Sequence, residues 1–205
     1  MVAAVLTVMV LSLFQTRDIS ILPTWVAPLV LEGGFLAYLI WSDPGRIDRQ
    51  TPRIRAVSLA LVGLILLNAL FATVLLAIKL TQATSVEGAQ AIEFVWDAAR
   101  VWVTVNIAFA LLYWQLDSGG PVTRLVAPRR YPDFMFPQHS NPDLAPDGWR
   151  PTFVDYLYLG FTTGNAFSPT DTLPLVHWAK IAMGAQALIT FVIVGLVVAR
   201  LVNIV

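Results

Sequence analysis

The chain has no cysteine. That excludes disulfides, thiolate metal ligation and thiol redox chemistry. Histidine is scarce too. His139 and His177 are the only two, far apart and joined by no acidic cluster, so no zinc site assembles from them. Charged residues make up 13% of the chain, against roughly 25% in soluble domains. Acidic and basic residues number 13 each, so no basic excess points to nucleic acid. No Ser-His pair, histidine cluster or pair of aspartates sits within the apolar runs. The sequence therefore reads as a protein that is not an enzyme, with no cofactor and no metal.

What remains is apolar, 57% of the residues. It is gathered into long runs, which places the chain in the polytopic membrane class. Met1 to Gln15 is short for a bilayer core of about 30 Å at about 1.5 Å per residue. It has no basic flank before it and no small-residue cleavage pattern after it, so it reads as a retained helix rather than a signal peptide. Pro23 opens a second helix that runs to Trp41. Trp25 and Trp41 bracket it as interfacial aromatics do, and Glu32 sits near its middle. Ala56 to Ile78 is an uncharged run of 23 residues and the clearest span, ended by Lys79. A fourth helix, 91–116, carries Glu93, Asp97 and Arg100 in its first half and Tyr113-Trp114 at its far end. Gly119-Gly120-Pro121 stops it.

Residues 117–152 differ in kind. They hold Pro121, Pro128, Pro132, Pro137, Pro142, Pro146 and Pro151, a density that excludes helix and central strand. Tyr131, Phe134, Phe136 and Trp149 argue against simple disorder. The expectation is an ordered, extended cap lying on the last two helices; the alternative is a floppy linker. Next comes a short apolar run from Phe153 to Phe161, then a polar loop, then a long apolar helix. That order is the layout of a re-entrant loop, which membranes tolerate only where it is buried in protein or lines water. The predicted architecture is an all-α integral membrane protein of five transmembrane helices plus one re-entrant helix and loop. Residues 1–90 supply three transmembrane helices. Residues 91–205 supply an outer helix (91–116), the cap (117–152), a pore helix (153–163), a filter-like loop (164–174) and an inner helix (175–205).

If each helix spans, the loops 42–55 and 117–152 lie on one side. They hold Arg46, Arg49, Arg53, Arg55, Arg124, Arg129, Arg130 and Arg150, against Arg17 and Lys79 opposite. The positive-inside rule then places both loops in the cytoplasm, so the polar loop enters from the cytoplasmic side.

From Asp155 to Lys180 the chain resembles the pore module of the potassium-channel superfamily. Asp155, Leu157, Tyr158, Phe161, Thr163, Asp171, Pro174, Ala179 and Lys180 fall on similar positions without a gap. The layout is similar from Ala91 to Val205. The family's Thr-Val-Gly-Tyr-Gly-Asp filter corresponds here to Ala166-Phe167-Ser168-Pro169-Thr170-Asp171. Potassium filters present a ring of backbone carbonyls, and alternate glycines allow the positive φ this needs. Ser168 and Thr170 stand at the two glycine positions and Pro169 fixes φ between them, so that backbone should not form. The resemblance implies a four-fold pore made by a homotetramer, without potassium selectivity. In potassium channels the loop enters from outside, whereas the arginine bias argues for the reverse, as in the ionotropic glutamate receptors of the wider superfamily.

The pore and filter candidates are Thr162, Thr163, Gly164, Asn165, Ala166, Phe167, Ser168, Pro169, Thr170 and Asp171. Asp171 either sets a ring of negative charge at the mouth, favouring cations, or caps local backbone as an Asx turn does. Phe167 is either a hydrophobic constriction or a plug packed behind the loop. Glu32, Asp97 and Arg100 form a candidate intramembrane charge network. Asp97 and Arg100 are three apart on one helix, and Glu32 lies at a depth from which it could reach Arg100. Its two readings are a sensor or proton site and a structural ion pair. Gly184 and Gly195 suit close packing between membrane helices, and Gly195 is also a candidate hinge. His177 reads as interfacial, and Lys180 as the basic residue that opens an inner helix or as ordinary snorkelling.

The functional expectation is a multi-pass protein of the plasma or inner membrane. It is a pore-loop, ion-channel-like protein that conducts an ion without standard potassium selectivity. Its partners are membrane lipid, further copies of itself and the permeating ion. The alternative is a non-conducting scaffold, sensor or partner-binding protein that keeps the pore fold.

Overall fold

The computed structural model describes residues 2–15, 26–42, 51–82, 88–165 and 171–202. Three helices are long and apolar enough to cross a membrane, Pro52–Thr81, Ile92–Gly119 and His177–Arg200, and they mark a membrane protein. Val2–Leu13 and Pro28–Ser42 are apolar but shorter.

The first helices, α1 (Val2–Gln15) and α2 (Val26–Ser42), pack on each other and on α3 (Pro52–Gln82) or α4 (Gly88–Leu116). α3 starts earlier than its uncharged run suggests. Pro52 takes the first helical position, where its missing N–H costs nothing, and Thr51 Oγ1 accepts the Ile54 N–H at 3.3 Å. Arg53 and Arg55 are therefore helical, not part of a loop.

α4 is the central post. Every residue from Thr104 to Leu111 is buried, because α1, α3, α7 (Phe153–Asn165) and α8 (His177–Val202) surround it. α4 stops where three successive residues, Ser118, Gly119 and Gly120, take φ of 53°, 85° and 101°. At Gly120 a Cβ would stand 3.1 Å from the Gln115 carbonyl oxygen, so glycine is required on two counts.

The proline-rich segment is ordered but not simply extended. Prolines begin its short helices α5 (Pro121–Val126) and α6 (Pro137–Ser140) and the 3₁₀ turn Pro142–Leu144. Between them β1 (Phe134–Met135) pairs antiparallel with β2 (Leu173–Pro174), Phe134 opposite Pro174 and Met135 opposite Leu173. The Leu175 N–H extends this pairing to the Asp133 carbonyl at 2.9 Å. The cap is thus stitched to the strand that leads into α8.

α7 runs antiparallel to α4. Phe153 meets Trp114 at one end and Phe161 meets Trp102 at the other, with ring centroids 6.0 and 5.5 Å apart. Its 13 residues cover about 20 Å, short of the roughly 30 Å of a bilayer core. The helix continues to Asn165, past the expected end at Thr163, and α8 begins at His177 rather than at residue 175. Gly160 and Gly164 lie one turn apart on the face toward α4. A Cβ on Gly160 would fall 2.9 Å from the Asn106 carbonyl oxygen, and one on Gly164 would collide with the Asn106 side chain. Small residues at this spacing let two membrane helices approach closely. Gly184 and Gly195 have no such role within the chain, since a Cβ on either would meet open space.

Gly164→Ala is expected to destabilise the protein by about 1–3 kcal/mol, the usual cost of overpacking. Gly63→Ala, at a helical site with open space, should be neutral or slightly stabilising. Thermal melting of both variants in detergent checks this, and an unaffected Gly164→Ala protein would remove the close α4–α7 approach.

Candidate functional site: the fastenings of the half-length helix

Two buried polar clusters hold α7, one near its start and one half-way along it. The first lies where α4 stops. Asp117 is fully buried, and its carboxylate accepts the Tyr156 hydroxyl from α7, the Ser118 hydroxyl at 2.8 Å and the Asp133 N–H at 3.0 Å. The Asp133 carboxylate accepts the Ser118 N–H at 3.0 Å and the Trp178 indole N–H, from α8, at 3.3 Å. Arg129 stands 3.7 Å from the same carboxylate. The end of α4, the cap and the starts of α7 and α8 therefore meet at two aspartates.

The helix end itself is closed by cations. Arg124 donates to the Trp114 and Asp117 carbonyls at 2.9 and 2.8 Å, and Arg55 donates to the Gly119 carbonyl. These are the carbonyls that a helix C-terminus leaves without intrahelical partners, and positive charge there also suits the helix dipole. The Arg124 guanidinium lies 5.0 Å over the Tyr156 ring as well.

Aromatic packing covers the cluster. Tyr113, Phe134 and Trp178 form one chain of rings, and Tyr156, Phe136 and Trp149 another, with centroids 5.1–6.1 Å apart. His139 meets Trp149 edge-to-face with centroids 5.2 Å apart, and its Nδ1 accepts the Phe136 N–H at 3.1 Å. Burial holds its pKa below the ordinary 6.5, with Asp117 opposing in part.

The second cluster lies half-way along α7. Gln186 of α8 donates to Asn106 Oδ1 at 2.8 Å and to the Gly160 carbonyl at 2.7 Å. Its own Oε1 accepts the Tyr113 hydroxyl at 2.6 Å, and Asn106 donates back to the Trp102 carbonyl at 2.7 Å. One amide side chain thus joins α4, α7 and α8. All of these side chains are buried, where an unmade hydrogen bond has no water to turn to.

The start of α7 is capped locally. Asp155 accepts the Thr152 N–H at 2.6 Å and its hydroxyl at 2.8 Å, which accounts for a carboxylate at this position without any role in a pore.

A scan against protein-family models, a search of curated proteins and a search of solved structures each return no match to this chain.

The expected site residues divide as follows. Thr162, Thr163, Gly164 and Asn165 are helical rather than part of a loop. Thr162 bonds back to the Tyr158 and Leu159 carbonyls, Thr163 is buried with its hydroxyl unpartnered, and Gly164 packs on Asn106. Asn165 ends the helix at the mouth of an apolar groove of about 290 Å³ between Trp102 and Ile193. Ala166, Phe167, Ser168, Pro169 and Thr170 lie outside the described residues. Asp171 is exposed in the bend before β2, and Gly195 is exposed on α8. Asp97 and Arg100 are paired at 3.0 Å, and Lys79 of α3 joins them at 2.8 Å from Asp97. Glu32 belongs to a different cluster, with Asn68 and Ser12.

Sequence reasoning missed Asn106, Tyr113, Gln186, Asp117 and Asp133. A buried amide in each of two apolar helices was the available signal for the first and third, because polar side chains at membrane depth rarely lack a partner.

Two outcomes follow. Gln186→Leu should lower stability, and a double-mutant cycle with Asn106→Leu should give coupling of about 0.6–2 kcal/mol, the range for interhelical hydrogen bonds in membranes. Additive effects would show that the two amides do not bind. For the cap, the sign of the pH effect follows from His139. Its folded pKa is depressed, so its contribution is present above the ordinary value and lost as pH falls through the folded value. Hydrogen-exchange protection of residues 134–149 should therefore decline on acidification, and His139→Asn should flatten that dependence.

Proposed function

We propose that the chain is one subunit of a homotetrameric, pore-loop, ion-channel-like protein of the cell membrane. In this reading α4 is the outer helix, α7 the pore helix and α8 the inner helix, with the expected filter-like loop between α7 and α8. α1, α2 and α3 complete five spans. The observation that carries the reading is that α7 leaves and β2 returns to the same end of α4. Phe153 abuts Trp114 near that end, and Leu173–Pro174 pair with the cap strand that follows Asp117. The helix that runs in from that end is too short to cross, and β2 stands again at the same end. α8 supports the oligomer. Only 17% of its most apolar window is buried within the chain, against 56% for α4, which leaves a wide apolar face for neighbouring copies or lipid.

A half-length helix in a single subunit encloses nothing, so the oligomer is part of the proposal. The resemblance of Asp155 to Lys180 to potassium-channel pores sets the expected symmetry, and Ser168 and Thr170 at the glycine positions argue against potassium selectivity. Native mass spectrometry of the detergent-solubilised chain should give four copies. Planar bilayers holding those tetramers should carry current in sodium or potassium salts. A monomer would remove the pore; silent but intact tetramers would leave the non-conducting scaffold.

A further inference from the structure

We propose that Glu32 is a proton-binding site at mid-membrane, enclosed by α1, α2 and α3. The side chain has no exposed surface. One carboxylate oxygen receives the Asn68 amide at 3.4 Å, and that amide also stands 3.4 Å from the Ser12 hydroxyl. The other oxygen, Oε2, is buried with no partner. Each of the three helices thus supplies one polar side chain to the site.

The charge balance decides what occupies it. α1 has no charged residue from Val2 to Leu13, and α2 has none from Val26 to Ser42 besides Glu32. The charged residues of α3 are Arg53, Arg55 and Lys79. Arg55 and Lys79 lie 13 and 11 positions from Asn68, which is about 16–20 Å along the axis. Arg55 is engaged with the Gly119 carbonyl and Lys79 with Asp97. On α4, which packs against α1 and α3, the charges are Glu93, Asp97 and Arg100; Asp97 and Arg100 pair with each other. No cation among these faces Glu32. An ionised carboxylate enclosed in this way costs far more than a neutral one, and a proton on the unpartnered oxygen removes the charge. A metal ion is a poor alternative, because one carboxylate, one amide and one hydroxyl give fewer oxygens than a dehydrated hard cation requires.

The site is independent of the pore reading, and its test is spectroscopic. Infrared difference spectra of the full chain in liposomes at pH 7, wild type minus Glu32→Gln, should contain a carboxylic-acid C=O stretch that shifts in heavy water. Carboxylate bands alone would overturn the proposal, as would a C=O band that vanishes when sodium chloride is added at constant pH. If Glu32→Gln fails to fold, the wild type alone suffices. Dicyclohexylcarbodiimide adds to a protonated carboxyl, its central carbon bonding the acid oxygen while the proton passes to a nitrogen. Mass spectrometry should find the adduct on Glu32 at pH 7, with less on exposed Glu93. With the wild type alone, a carboxylic-acid band together with that adduct sustains the site, and absence of both overturns it.

Discussion

The structure depends on how α4 is allowed to end. A helix that stops at a membrane boundary leaves carbonyls without partners, and apolar surroundings offer them nothing. Here Arg124, Arg55 and the Thr123 hydroxyl take the Trp114, Asp117 and Gly119 carbonyls. With its carbonyl satisfied by a cation, Asp117 can turn its side chain inward, where it collects Tyr156 and the Asp133 backbone. The positive φ of Ser118, Gly119 and Gly120 reverses the chain at the same point. The route of the cap and the starting positions of α7 and α8 follow from that one termination.

The lower cluster then limits what α7 can do. Fastened to Asp117 through Tyr156 and to Gln186 through its Gly160 carbonyl, α7 is held at two levels one turn apart. Its glycine face leaves no slack against Asn106. α8 is held by the same two clusters, through Trp178 and Gln186. Beyond Ile193, the last buried side chain of α8 among the described residues, the exposed face of the helix widens. Rearrangement of α8 therefore costs least in its second half, where Gly195 lies, and most beside α7.

Long apolar runs were legible in the sequence because burial of helix faces in lipid needs little else. The half-length helix was legible from its length and from the polar residues after it. The ends were not. Thr51-Pro52 moved the start of α3 outward, because capping is written in residues outside the apolar period. The prolines of the cap were read as excluding helix, yet Pro121, Pro137 and Pro142 each begin one, since the first turn does not need the missing N–H. Charges along an apolar run predict that a partner exists without saying which one. Arg100 could have paired with Asp97 or reached Glu32; Lys79 and Arg100 both serve Asp97, and Glu32 is met by the Asn68 amide.

The arginines bear on orientation in a way that their contacts alone do not. Arg55 and Arg124 end as caps on α4, and Arg129 stands beside Asp133, so the folded cap side is less positive than its arginine count. The charge bias on topology counts lysine and arginine close to the helix ends, and acidic residues contribute little to it. It acts on the chain during insertion, before Arg124 has a helix end to close or Arg129 an aspartate to meet. Later neutralisation therefore leaves the bias intact. Arg55 and Arg124 thus count toward that bias and also serve as the donors that terminate α4. Entry of the half-length helix from the cytoplasmic face, opposite to the potassium-channel arrangement its sequence resembles, therefore stays part of the proposed reading, and the contacts of the folded cap do not count against it.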